Sequence, residues 1–297
     1  MRCKSLIYLI AMASILIVVY FAINYFNSPQ GKMEENSMYK VSSKDGTEIG
    51  FIKKGNGPAL ILVHGTTADH TRWLPIIPYF EHQFTVYAVD RRGRGLSGDS
   101  PGYSLIKEAE DIAAVANSID EPLFILGHSY GGLVALEAAL HIDKLKKLIL
   151  YEPPIPAGLP LYPEGTIEKM QTHIDNDENE AALEVMLKEV VKMPDHEFEK
   201  YRTLPVYQRR IELAPTIPRE IMVELNFDFV PDRYENFHVP TMLLLGGDSP
   251  EIFHKITSIL DEVLPNSIIV SMDGQQHIAM DTNTELFTQT VINFLSD

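Results

Sequence analysis

Leu123-Phe124-Ile125-Leu126-Gly127-His128-Ser129-Tyr130-Gly131-Gly132 passes from an unbroken apolar run, through a glycine-rich turn, into a stretch with helical spacing. The apolar run suits a strand buried on both faces, and Leu133–His141 carries the helical period. A strand that turns this sharply into a helix holds its central residue in strained backbone geometry. Gly127, Gly131 and Gly132 are small enough to let the two segments approach. The bend lifts the Ser129 hydroxyl above the sheet at a helix N-terminus, where backbone N–H groups stabilise negative charge. Strand, turn, serine and helix in this order make Ser129 a candidate nucleophile rather than an incidental turn residue.

Outward from this stretch, short β-rich runs alternate with helical ones. Eight strands are expected, at residues 38–43, 47–54, 59–65, 84–90, 123–129, 145–152, 241–248 and 267–274. Helical spacing falls between them at Tyr103–Ser118, Leu133–His141, Ile252–Val263 and Thr282–Leu295. The pattern predicts an α/β fold: a mostly parallel eight-stranded sheet with helices on both faces. The opening pair, with Asp45-Gly46 at its turn, reads as an antiparallel hairpin at the sheet edge. Residues 153–237 break the alternation with three or four amphipathic helices and several prolines, and read as a helical cap inserted into the domain of residues 38–297. The acidic patch Asp175–Glu180 reads as a solvated approach to a helix rather than a metal site. Trp73, Tyr130 and the apolar positions of the cap predict a mostly apolar pocket.

Apolar residues make up 45% of the 297 residues and charged residues 22%, values that fit a folded chain. The net charge of −16 argues against a nucleic-acid partner, which calls for a Lys/Arg-rich face. Ser5–Phe26 is an uncharged apolar run long enough to cross a membrane as a helix. It exceeds the apolar region of a cleaved signal peptide, and Ala22-Ile23-Asn24 is a poor cleavage site. Residues 1–27 are therefore expected to be a single-pass transmembrane helix and the polar residues 28–37 a linker. Arg2 and Lys4 precede the run, which keeps the N-terminus cytoplasmic and sends the catalytic domain across the membrane. Cys3 is the single cysteine, so no intramolecular disulfide forms.

A serine hydroxyl needs a base within hydrogen-bond reach and a third group to orient that base. Of ten histidines, His277 is best placed, in the loop between the last strand and the last helix. Other segments reinforce the Ser129 motif: His64-Gly65 after Ala59–Val63, Asp90-Arg91-Arg92-Gly93-Arg94-Gly95-Leu96-Ser97, and Gln276-His277-Ile278-Ala279-Met280-Asp281. Together they resemble the α/β-hydrolase superfamily over nearly everything from Tyr39 to Leu295.

The resemblance implies the chain order serine, acid, histidine. Asp248, ending Thr241–Asp248, fits as the acid, and Glu152, ending Leu145–Glu152, is its rival. Gly246-Gly247-Asp248 departs from the family pattern, because many members place one more residue between the first glycine and the acid. Asp281 is expected to open the last helix with Thr282, whose capping-box spacing to Glu285 supports that role. The resemblance further implies backbone N–H groups of Thr66 and Tyr130 as oxyanion donors, with neither cofactor nor metal. A serine at position 129 separates the chain from haloalkane dehalogenases and epoxide hydrolases, whose members carry aspartate there. The implied activity is hydrolysis of a small-molecule ester or another acyl substrate, with an aminopeptidase, a carbon–carbon hydrolase or a cofactor-free perhydrolase as alternatives. A non-enzymatic ligand sensor built on the same fold is a further one.

Overall fold

The computed structural model describes residues 38–297, so the expected anchor and linker lie outside the described residues. Among the described residues no helix is long and apolar enough to cross a membrane. Eight strands form one sheet: β1 (Met38–Ser42), β2 (Glu48–Gly55), β3 (Ala59–Val63), β4 (Thr85–Val89), β5 (Leu123–His128), β6 (Leu145–Tyr151), β7 (Thr241–Gly246) and β8 (Ser267–Met272). Their order across the sheet is β1-β2-β4-β3-β5-β6-β7-β8. β2 runs antiparallel to β4, and every pairing from β4 to β8 is parallel. Asp45 and Gly46 form the β1–β2 turn, with Gly46 in the left-handed region at φ 84°. The Ser43 N–H donates to the Thr47 carbonyl there at 2.8 Å.

Every residue of β3, β4 and β7 is buried, as unbroken apolar runs require when helices cover both sides of a sheet. Alternate side chains part into two layers. Ala59, Ile61 and Val63 pack with the helices Leu105–Asn117 and Tyr130–Ala139, while Leu60 and Leu62 join a second core with Trp73, Phe80 and the helix Thr284–Ser296. Crossover connections of this kind place the C-terminal strand ends along one rim, where open parallel sheets hold their ligands. Residues 64–66, Ser129, Glu152, Asp248 and His277 all follow strand ends on that rim.

Between β6 and β7 the structure contains five α-helices: Thr166–Asp175, Asn179–Val185, Asp195–Tyr201, Pro205–Leu213 and Ile217–Leu225. That is more than the three or four read from periodicity, because short helices are broken at points the pattern hides. Asp177 and Lys192 take left-handed backbone conformations at φ 60° and 61° and interrupt the helical path there. This helical segment and the sheet belong to the same compact unit, Tyr39–Asp297.

The Asp90–Ser97 segment is a buried structural knot. The Asp90 carboxylate accepts the His70 and Leu96 N–H groups at 2.6 and 2.7 Å. Arg92 pairs with Asp111 at 2.6 Å, and Arg91 with Glu108 at 2.9 Å. Glu220, from the helix Ile217–Leu225, accepts from Arg91 and, at 2.7 Å, from Arg94. Burial raises the Glu220 pKa, but the two guanidinium charges outweigh it and hold the carboxyl below its ordinary range. Removing one partner of a buried ionic network leaves the others uncompensated. Glu220→Gln is therefore expected to cost about 3–5 kcal/mol of stability, read as a lower urea midpoint at unchanged m-value.

Candidate active site

Ser129 sits between β5 and the helix Tyr130–Ala139 with φ 54° and ψ −130°, a conformation that non-glycine residues rarely hold. The surroundings enforce it. The Ser129 N–H donates to the Tyr151 carbonyl at 2.8 Å, tying the turn to β6. A Cβ on Gly131 would collide with the Val63 and His64 carbonyls, and one on Gly65 would sit 2.9 Å from the Ser129 Cβ. The turn is therefore pressed against the end of β3 at a distance only glycine permits. Tyr130 opens its helix, and the first N–H groups of a helix have no intrahelical acceptor. Thr66 faces the same cleft as Ser129 from the β3 loop. The Arg91 guanidinium holds that loop by donating to the Gly65 carbonyl at 3.1 Å.

His277 also lines the cleft. Its loop is clamped from below: the Tyr151 hydroxyl donates to the Gln276 carbonyl and accepts the Ala279 N–H at 3.0 Å. His128 lies with its ring 4.7 Å from the His277 ring. Burial, reinforced by the nearby His277 and Arg72, holds the His128 pKa well below its ordinary value, so the ring is neutral and its Nε2–H donates to the His277 carbonyl at 2.8 Å. Phe253 stacks on the His277 ring with centroids 4.9 Å apart.

The side-chain partner of His277 differs from the expected one. Glu152, not Asp248, meets His277, with its Oε2 2.6 Å from Nδ1. Glu152 is 1% exposed, and its other oxygen accepts the Gly246 N–H at 2.7 Å and the Ser249 hydroxyl at 2.6 Å. Its backbone is held at φ 46°, a strained conformation that turns the side chain from the end of β6 toward the β8 loop. Asp248 is exposed on the corner of a tight turn, where the Ser249 N–H donates to the Gly246 carbonyl at 3.0 Å and the Asp248 N–H to the Gln275 carbonyl at 2.9 Å. The turn after β7 leaves position 248 facing solvent, and the glutamate side chain at the end of the neighbouring β6 reaches the imidazole instead. Asp281 is engaged elsewhere, with the Arg72 guanidinium at 2.6 Å.

A second correction concerns the pocket wall. Trp73 and Tyr130 are fully buried and pack in the core, Tyr130 with its ring 4.5 Å from the Arg91 guanidinium carbon. The wall over Ser129 comes instead from Met186, Leu187, Val191 and Met193, with Tyr201 and Arg210. Sequence reading did not single these out, because their spacing resembles ordinary core packing. The cleft is tight, about 30 Å³. A larger surface groove of about 660 Å³, bordered by Ile106, Met222 and Phe227, contains none of Ser129, Glu152 or His277, so size alone does not mark the site.

Residues 60–289 match the model of a family described as the alpha/beta hydrolase family. A 2-(acetamidomethylene)succinate hydrolase of Mesorhizobium japonicum is 22% identical over 82% of this chain and 90% of its own. An N-formylmaleamate deformylase of Pseudomonas putida is 37% identical, over 36% of this chain and 45% of its own. Among solved structures, an alpha/beta hydrolase of Sphaerobacter thermophilus superposes with a TM-score of 0.73 at 27% identity, covering 85% of this chain and all of that one. An esterase of a Rhodococcus species superposes at 0.68 with 22% identity over 88% of this chain and 99% of that one, a likeness of fold.

The two carboxylates are separable by experiment. Glu152→Gln should slow labelling of Ser129 by a fluorophosphonate by about a thousandfold or more, since an imidazole without its acid partner loses the reactive tautomer, whereas Asp248→Asn should stay within about threefold of wild type.

Proposed function

The chain belongs to the alpha/beta hydrolase family and is a hydrolase, and we propose that it hydrolyses carboxylic esters through an acyl-enzyme on Ser129. The observation that carries this reading is the Glu152–His277 pair, whose histidine lines the same cleft as the strained Ser129. In the proposed cycle the Ser129 Oγ attacks the acyl carbon, and its proton passes to His277 Nε2. Glu152 accepts the Nδ1–H and stabilises the imidazolium. In this reading the Thr66 and Tyr130 N–H groups donate to the oxyanion, a contribution of roughly 3–4 kcal/mol per donor in comparable sites. His277 then hands its proton to the leaving alcohol, and a water activated by the same ring cleaves the acyl-serine.

A second reading, hydrolysis of an amide-type acyl group, is favoured by one observation: a matched relative is named as a deformylase. The triad serves both, since the leaving group takes its proton from His277 in either case. Ser129→Ala should abolish labelling by a fluorophosphonate and lower 4-nitrophenyl acetate turnover by about 10⁴-fold or more. If that substitution leaves ester turnover within tenfold of wild type, a different nucleophile is at work.

We also propose that Ser5–Phe26 anchors the chain in a membrane with the catalytic domain on the extracytoplasmic side, supported by the length of the apolar run and by Arg2 and Lys4 before it. The full-length chain should sediment with membranes after an alkaline carbonate wash. Recovery in the soluble fraction would rule the anchor out.

A further inference from the structure

Among the described residues Arg210 has no ion-pair partner. It lies on the helix Pro205–Leu213, is 7% exposed, and lines the same cleft as Ser129 and His277. Other buried arginines in this protein are matched to carboxylates: Arg72 to Asp281, Arg91 to Glu108 and Glu220, Arg92 to Asp111, Arg94 to Glu220. No carboxylate among the described residues lies within ion-pair distance of Arg210. Its one hydrogen bond is from Nη1 to the Thr67 hydroxyl at 3.3 Å, long for a charged donor. Among the described residues its Nε has no hydrogen-bond acceptor, and the buried Tyr201 hydroxyl on the same wall has no hydrogen-bond partner. The Tyr201 ring stands 5.4 Å from the guanidinium carbon. Burial lowers the Arg210 pKa, and the like charge of Arg72 adds to it, outweighing the opposing pull of Tyr201 and of the more distant Asp281.

An unpaired guanidinium in a dry cleft is costly, and such groups are retained in proteins when something anionic completes them. The planar fork fits a carboxylate in two-point contact, and a neighbouring tyrosine hydroxyl supplies a third donor. Resting on the acyl-enzyme reading above, we propose that Arg210, with Tyr201, binds a carboxylate on the acyl part of the substrate, so that the preferred substrates are short acyl compounds carrying a free carboxylate, such as half-esters of dicarboxylic acids. The tight cleft fits this class: a substrate entering must displace the Met186, Leu187, Val191 and Met193 wall, and a salt bridge to Arg210 offsets part of that cost. Methionine side chains, with their rotatable bonds, suit a wall that repacks.

The test compares mono-4-nitrophenyl succinate with its neutral methyl ester on the full-length chain in detergent. Wild type should prefer the charged ester, and Arg210→Met should lower kcat/KM for it about 100-fold more than for the neutral ester. Arg210→Lys should recover part of the loss. Equal losses on both esters, or no loss on either, would overturn the proposal. Succinate binding to Ser129→Ala protein, measured by calorimetry, separates this claim from the catalytic one. Binding that disappears in the Ser129→Ala/Arg210→Met double variant supports the anion site even if neither ester is turned over. Succinate binding that survives Arg210→Met contradicts it. The melting temperature of each variant, held near wild type, shows that the fold is intact.

Discussion

The Glu152 carboxylate is the point at which the sheet and the chemistry meet. Both of its oxygens are engaged, one with the Gly246 N–H and the Ser249 hydroxyl, the other with His277 Nδ1. One buried anion thereby joins the ends of β6 and β7 to the loop after β8. A buried carboxylate is tolerable only when its lone pairs are filled in this way. The same bonds that satisfy it also fix the imidazole: with Nδ1 committed to Glu152, Nε2 is the nitrogen left to receive a proton in the proposed cycle. His128 and Tyr151 hold the carbonyls of the same loop, so ring position and tautomer are set together.

Strain is concentrated at this rim. Ser129, Glu152 and Thr67 all take positive φ without being glycine, and all three stand at or near the cleft. Such conformations survive only where surrounding packing over-determines them. That packing is supplied by the close approach of β3 and β5 at Gly65 and Gly131, and by the arginine network beneath it. Arg91 links the Gly65 carbonyl, Glu108 and Glu220 in one buried cluster, so the helix that carries Glu220 is fastened to the loop that carries Thr66. The segment over the site and the site itself share one set of charges, and Arg210 stands apart from that set with its charge turned to the cleft.

Much of this was legible in the residue order. Unbroken apolar runs such as Ala59–Val63 and Thr241–Leu245 could only be strands covered on both sides, and all eight strands appear where periodicity placed them. Ser129 and His277 stand out because glycine spacing and chain position mark them. The acid was harder. Glu152 and Asp248 both follow strand ends on the same rim, and the choice depends on which way a short turn faces, a matter of backbone conformation at Glu152 and in the turn after Gly246. The pocket wall was less legible still. Met186, Val191 and Tyr201 carry no pattern that distinguishes a cleft from a core, and Trp73 and Tyr130, which looked the part, are spent on packing. Arg210 is invisible to sequence reading for a related reason: its significance lies in the absence of a carboxylate beside it, which only three-dimensional placement reveals.

One short bond, from His277 Nδ1 to Glu152, orders the site, and proton NMR reads it directly. A strong hydrogen bond between imidazole Nδ1–H and a buried carboxylate shifts its proton far downfield of the amide envelope. The wild-type protein should show such a resonance, assigned to His277 by its loss in His277→Ala, and it should persist in Asp248→Asn and vanish in Glu152→Gln. A resonance that survives Glu152→Gln and disappears in Asp248→Asn would contradict the account and return the orienting role to Asp248.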